Sequence, residues 1–185
     1  MRKPFVVISG LPGSGKTTLG RRLSPVLELP LIDKDDILDR LFDSKGAGNA
    51  AWRRTLSRES DVILQQAATS SNGAIVASFW RLPGMPFDSG TPTDWLDDPS
   101  HHVINVHCAC ELEVAATRFL QRQRHVGHLD GESSSVEILE RFRTLIQLPP
   151  LDIGQRIDVD TTQEPNVADV VYAIRRALAN FDNAS

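Results

Sequence analysis

Short apolar runs and longer stretches with helical spacing alternate along the whole chain. Phe5-Val6-Val7-Ile8 is apolar at consecutive positions and rich in β-branched residues, the pattern of a strand covered on both faces. Leu19, Leu23 and Leu27 follow at four-residue intervals and mark one stripe of a helix. The same reading predicts strands near residues 4–9, 29–33, 73–79, 102–109 and 156–160. Helices are expected over 15–27, 35–43, 50–71, 111–123, 134–146 and 166–180. Alternation of this kind predicts an α/β fold with a parallel sheet. An interruption of the first helix is expected at Ser24-Pro25, because proline clashes with the preceding turn unless it starts a new one.

Residues 81–100 break the rhythm. Pro83, Pro86, Pro92 and Pro99 fall there among Gly, Ser and Asp, in a connection longer than ordinary loops. Phe87, Trp95 and Leu96 in the same stretch need apolar contacts, so it is read as a structured loop on the acceptor side of a site.

The 185 residues suit one domain spanning 1–185, and no apolar stretch is long enough to cross a bilayer. The N-terminus runs directly into the first strand, which predicts a cytoplasmic protein. A net charge of −4 argues against a general nucleic-acid-binding surface but leaves a local basic groove open. Cys108 and Cys110 fall on one face of a predicted strand, so a disulfide between them is not expected. His107 beside them does not complete a tetrahedral metal site, and buried reduced thiols are expected.

Chemistry enters with Gly10-Leu11-Pro12-Gly13-Ser14-Gly15-Lys16-Thr17, which fits G-x-x-x-x-G-K-[ST] between a predicted strand and a predicted helix; Thr18 follows and is read with it as part of the nucleotide-binding loop. Glycines let backbone N–H groups turn toward phosphate oxygens where a side chain would block approach. The helix that follows directs its positive end at the same anion. Lys16 can reach β- and γ-phosphates, and the Thr17 hydroxyl can ligate Mg²⁺. A second acidic signal follows the next strand: Asp33-Lys34-Asp35-Asp36, at the strand edge where open α/β sheets bind ligands. Helix capping accounts for Asp36 and one more of these carboxylates, not for the cluster. By strand alternation Asp33 and Asp35 share a side while Lys34 points elsewhere; Asp35 is read as general base and Asp33 as Mg²⁺ organiser, with the reverse assignment open.

A third signal lies after the fourth strand. Arg118 and Arg122 are one helical turn apart, and arginines on a closing segment can neutralise charge on a transferring phosphoryl group. The lid is placed at about 118–133, with His125 and His128 as weaker members. Arg53 and Arg54 are the next acceptor candidates, with a solvated helix face the favoured reading; Trp80 reads as either core or pocket wall, and Arg81 as an anion contact. No guanine-specificity N/T-K-x-D motif and no transporter serine-glycine-glycine signature are present.

Taken together, "GLPGSGKTT", "LIDKDD" and the C-x-x-E…R-x-x-x-R stretch resemble the small P-loop kinases of the adenylate-kinase-like group. Within it the chain is most similar to the AAA-domain kinases that include polynucleotide 5′-hydroxyl kinase, zeta toxin and chloramphenicol phosphotransferase. The resemblance implies a three-layer sandwich around a five-stranded parallel sheet of order 2-3-1-4-5, with a helical lid. It also implies ATP and Mg²⁺, an aspartate base after the second strand and lid arginines on the nucleotide phosphates. The chain departs from many of those relatives after its third strand, where "GAIVASFWR" offers Ser78, Trp80 and Arg81 in place of an acid. The expectation is an ATP-dependent phosphotransferase acting on a hydroxyl of a small molecule. A polynucleotide or nucleotide-sugar kinase, and a nucleotide-dependent switch that docks a partner, are the alternatives.

Overall fold

In the computed structural model, which describes residues 2–129 and 134–182, five parallel strands form one sheet in the order β2-β3-β1-β4-β5. The strands are β1 (Lys3–Ser9), β2 (Leu31–Asp33), β3 (Ala74–Ala77), β4 (His101–Ala109) and β5 (Gln155–Asp160). The helices are α1 (Lys16–Leu27), α2 (Lys34–Lys45), α3 (Ala50–Ser70), α4 (Leu112–Gln121), α5 (Ser135–Ile146) and α6 (Val167–Asp182). Sheet order and direction are those the sequence resemblance implies.

The unbroken apolar run of β1 follows from its central position. Phe5 and Val7 pack on the face covered by α2 and α3, against Ile37, Phe42, Leu56 and Leu64. Val6 and Ile8 face the other way, onto Leu19 and Leu23 of α1 and Ile174 of α6. All four are fully buried, each worth roughly 1.5–3 kcal/mol relative to exposure. A smaller third cluster joins α4 and α5 through Ala115, Phe119, Ile138 and Phe142, and reaches the loop after β1 at Leu11.

α1 runs through Pro25 without interruption, contrary to the sequence expectation. Proline there removes one hydrogen bond in the last turn, and the helix ends two residues later, where Glu28 takes the left-handed cap conformation. Cys108 is buried and Cys110 half-buried, and both are free thiols. Burial pushes the Cys108 thiol up to about 12, so it is neutral. Among the described residues no helix is long and apolar enough to cross a membrane.

Candidate active site at the carboxyl edge of the sheet

β1 delivers the chain to a tight loop at residues 10–15 that only glycine can make. Gly10, Gly13 and Gly15 hold φ of 132°, 79° and 90°. A Cβ on Gly13 would sit 2.1 Å from the Ala115 carbonyl oxygen, so the backbone of α4 rests directly on the loop. No side chain caps the start of α1, which leaves its first N–H groups directed into the loop. Lys16 curls back across it: Nζ donates to the carbonyls of Gly10 (3.0 Å) and Leu11 (2.8 Å). Burial pushes the Lys16 ammonium below its ordinary range, opposed by Asp35 and Asp33 and reinforced by Arg122.

The acidic cluster adjoins this loop. Thr17 Oγ1 donates to Asp33 Oδ2 at 2.6 Å, and Asp33 Oδ1 accepts the Asp35 backbone N–H at 2.9 Å as the N-cap of α2. One carboxylate thus ties the first turn of α1 to the first turn of α2. Burial raises the Asp33 pKa; the Thr17 hydrogen bond opposes this and neighbouring Asp35 adds to it. Asp35 pairs through Oδ1 with Arg124 at 2.7 Å. Asp33 ends β2 and Lys34 begins α2, so strand alternation does not govern this tripeptide. Lys34 turns inward instead, pairing with Asp61 of α3 at 2.6 Å and donating to Thr91 Oγ1 at 3.2 Å. Thr91 in turn donates to Asp61 and meets Ser78, pinning the 81–100 segment to α3 and to the end of β3.

The cradle a Cβ would fill, the uncapped helix start and Lys16 together suit a polyphosphate. Thr17 and Asp33 offer the hard oxygen donors Mg²⁺ takes when it keeps phosphate and water among its ligands.

Arg118 and Arg122 make different contacts. Arg118 lies in the last turn of α4 and donates to the carbonyls of Thr161 (2.7 Å) and Thr162 (2.8 Å) beyond β5. With Gly15, exposed Thr18, Arg22 and residues 163–165 it lines a pocket of about 380 Å³. Arg122 is the C-cap of α4, its N–H still donating to the Arg118 carbonyl at 3.1 Å; its guanidinium lies 4.2 Å over the Phe119 ring and close enough to Lys16 to perturb it. The two arginines are one turn apart as expected, but their side chains diverge, Arg118 to the segment beyond β5 and Arg122 back onto Phe119.

Residues 122–129 lie along α2. Asp35, Asp39 and Asp43, spaced four apart on one ridge, meet Arg124, His128 (2.6 Å) and His125 (3.5 Å) respectively. His125 stacks on Phe42, and His128 meets the same ring edge-on. Burial, with Arg124 adding to it, holds His128 below the ordinary histidine range. The remainder of the expected lid, 130–133, lies outside the described residues.

Beside Asp35 opens a cavity of about 520 Å³ between α3 and α5. Arg53, half-buried, and Arg54, exposed, both line it. Trp80 is core: it is 2% exposed and its Nε1 donates to the Ile8 carbonyl at 2.8 Å. Arg81 turns away from this cavity, donating to the Ser89 carbonyl and lying over Phe87. Asp61 and the inward turn of Lys34 are what sequence reading missed; Arg124 falls inside the expected lid, but its pairing with Asp35 was not foreseen.

Comparison with known proteins bears on the same regions. An AAA domain family matches residues 5–81, from β1 through the acidic cluster to the end of β3. A shikimate kinase of Corynebacterium glutamicum is 37% identical over 76 residues, 40% of this chain and 45% of that protein. A cytidylate kinase of Methanosarcina acetivorans is 37% identical over 59 residues, 32% of this chain and 33% of its own. The chain therefore aligns with less than half the length of these curated relatives. A crystal structure described as a candidate kinase from Chloroflexus aurantiacus superposes with a TM-score of 0.79 at 27% identity, covering 96% of this chain and 99% of that one. A sugar kinase from Janibacter shares the fold, with a TM-score of 0.55 at 17% identity over 96% and 95% of the two chains. The chain is similar in sequence to small P-loop kinases over its phosphate-binding half, and carries their fold along its length.

Proposed function

We propose that this protein transfers the γ-phosphoryl group of ATP to a hydroxyl of a small molecule. The observation that carries the reading is the contact between the two sequence signals: Thr17 of the glycine loop and Asp33 of the acidic cluster are 2.6 Å apart, and Asp35 opens onto a 520 Å³ cavity. That volume is in the range of small-molecule sites.

In this reading residues 10–18 surround the β- and γ-phosphates, and Lys16 swings from the Gly10 and Leu11 carbonyls onto them. The pocket of Gly15, Thr18, Arg118, Thr161 and residues 163–165 seats the nucleoside. Thr17 and Asp33 would hold Mg²⁺, which when bound neutralises charge on the phosphate oxygens. The acceptor oxygen bonds to the γ-phosphorus as the bond from that phosphorus to the bridging oxygen breaks, releasing ADP. Asp35 takes the alcohol proton: Arg124 holds Oδ1, and Oδ2 has no hydrogen-bond partner among the described residues. Arg122, beside Lys16 at the C-cap of α4, reaches the equatorial oxygens.

ATP turnover against a library of hydroxyl compounds tests this. Lys16→Ala is expected to abolish transfer, and Asp35→Asn to cut it by roughly 10²-fold. Transfer that survives Lys16→Ala overturns the assignment.

A further inference from the structure

We infer that a second cavity, against the glycine loop, binds a small neutral planar molecule that offers one N–H or O–H to His107, and that its occupancy opposes nucleotide binding. The cavity holds about 430 Å³, in the range of small-molecule sites. It shares Phe79 and Leu145 with the cavity beside Asp35 and none of that cavity's charged residues. Phe79, Leu82, Leu145, Leu148, Pro150 and Leu151 give it apolar walls, and the Trp80 ring and two cysteines add polarisable surface that suits an unsaturated ring.

A buried hydrogen-bond chain sets what His107 presents. Asn105 Nδ2 donates to the Leu151 carbonyl at 3.3 Å, so its Oδ1 is the end that accepts the Ser9 hydroxyl at 2.7 Å. With its one proton spent there, Ser9 Oγ can only accept from His107 Nδ1, 3.1 Å away. Neutral His107 therefore carries its proton on Nδ1 and a lone pair on Nε2, which has no hydrogen-bond partner among the described residues. Burial, with Arg156 adding to it, holds the ring below the ordinary histidine range and so neutral. Arg156 is the one formally charged residue in the described lining, and its Nε and Nη2 both donate to Asp158 Oδ1, at 2.9 and 2.6 Å. The seat thus offers an acceptor and no unspent charge. Gly10 and Leu11 form its wall on the loop side, and their carbonyls are the two that hold Lys16. An occupant packed on them favours the loop with Lys16 docked, whereas ATP, in the phosphotransfer reading on which this coupling rests, draws Lys16 away. Each ligand then weakens the other by the same factor.

The test is calorimetric titration of the full chain with indole, with indene, which has the same shape and no donor, and with indole-5-carboxylate, which adds charge. Indole is expected to bind about threefold to tenfold more tightly than indene. In His107→Leu that preference should vanish while indene binding is retained, and the carboxylate should bind more weakly than indole. Indole should also slow iodoacetamide labelling of half-buried Cys110 at the cavity wall, a readout on the parent chain in which buried Cys108 stays silent. Saturating indole should raise the Kd for ATP about fivefold or more. Equal binding of indole and indene, tighter binding of the carboxylate, a preference that survives His107→Leu, unslowed labelling, or no binding of any probe overturns the seat. ATP affinity that indole leaves unchanged overturns the coupling. None of these readouts uses turnover, so absence of phosphoryl transfer sinks the kinase reading and leaves the seat standing.

Discussion

The seating of α4 on the glycine loop can be measured with two alanine substitutions that share a backbone problem and differ in one contact. Gly13 and Gly15 both hold left-handed φ, 79° and 90°. A Cβ at Gly15 meets nothing within 4 Å, whereas at Gly13 it falls 2.1 Å from the Ala115 carbonyl oxygen and 3.0 Å from the Phe119 nitrogen. Gly15→Ala therefore costs only the backbone term, roughly 1–2 kcal/mol. Gly13→Ala adds overpacking of about 1–3 kcal/mol, because the opposing atoms are backbone and cannot rotate away. For a chain of this length each kcal/mol lowers Tm by about 2–4 °C. The Gly15 variant is then expected to melt roughly 2–8 °C below the parent, and the Gly13 variant several degrees lower still. Urea titrations at one pH and salt concentration give both free energies on a common scale. Equal destabilisation by the two variants, within about 0.5 kcal/mol, would refute the contact and with it the direct support of the loop by α4.

Two further substitutions separate groups that look alike in the sequence. Arg118→Ala removes hydrogen bonds to the Thr161 and Thr162 carbonyls, so it should destabilise the fold by about 1.5–3 kcal/mol and weaken nucleotide binding. Arg122→Ala should leave nucleotide affinity near the parent value and lower kcat; nucleotide titration beside steady-state kinetics distinguishes the two, and the opposite pattern refutes the assignment. Asp33→Asn keeps an N-cap acceptor for the Asp35 N–H and a polar partner for Thr17 while removing a buried charge. Because burial raises the Asp33 pKa, the folded state holds its proton to higher pH than the unfolded chain. The carboxylate thus costs nothing below its unfolded value of 3.8 and costs most above its raised folded value. The variant should gain roughly 0.5–2 kcal/mol at pH 7, less at pH 3.5, and lose Mg²⁺-dependent turnover. A gain independent of pH would place the cause elsewhere.

The positions of the elements were legible because β1 is apolar at every residue and α1 repeats leucine every four; both faces of the one and a single face of the other are buried. The glycine loop was legible because phosphate binding demands particular residues in a fixed order. Charge partners were not. Lys34 looks like a solvent lysine until Asp61, 27 positions later on α3, is folded against it. Arg124 sits just past the end of α4, where no periodicity dictates direction, and only the fold places it on Asp35. Trp80 was ambiguous for the same reason: its Nε1 satisfies the carbonyl of Ile8, an acceptor at the far end of β1 in sequence.

The ridge of three aspartates on α2 gives Asp35 a double duty. It is the proposed proton acceptor, and it is also one of three rungs by which the 122–129 strap is fastened. Chemistry and tethering are therefore entangled at that position: neutralising Asp35 disarms the acceptor and unfastens the strap that carries Arg122. A double-mutant cycle with Arg124→Gln measures their coupling: the Asp35–Arg124 pair is broken in either single variant, whereas only the Asp35 change removes the proton acceptor.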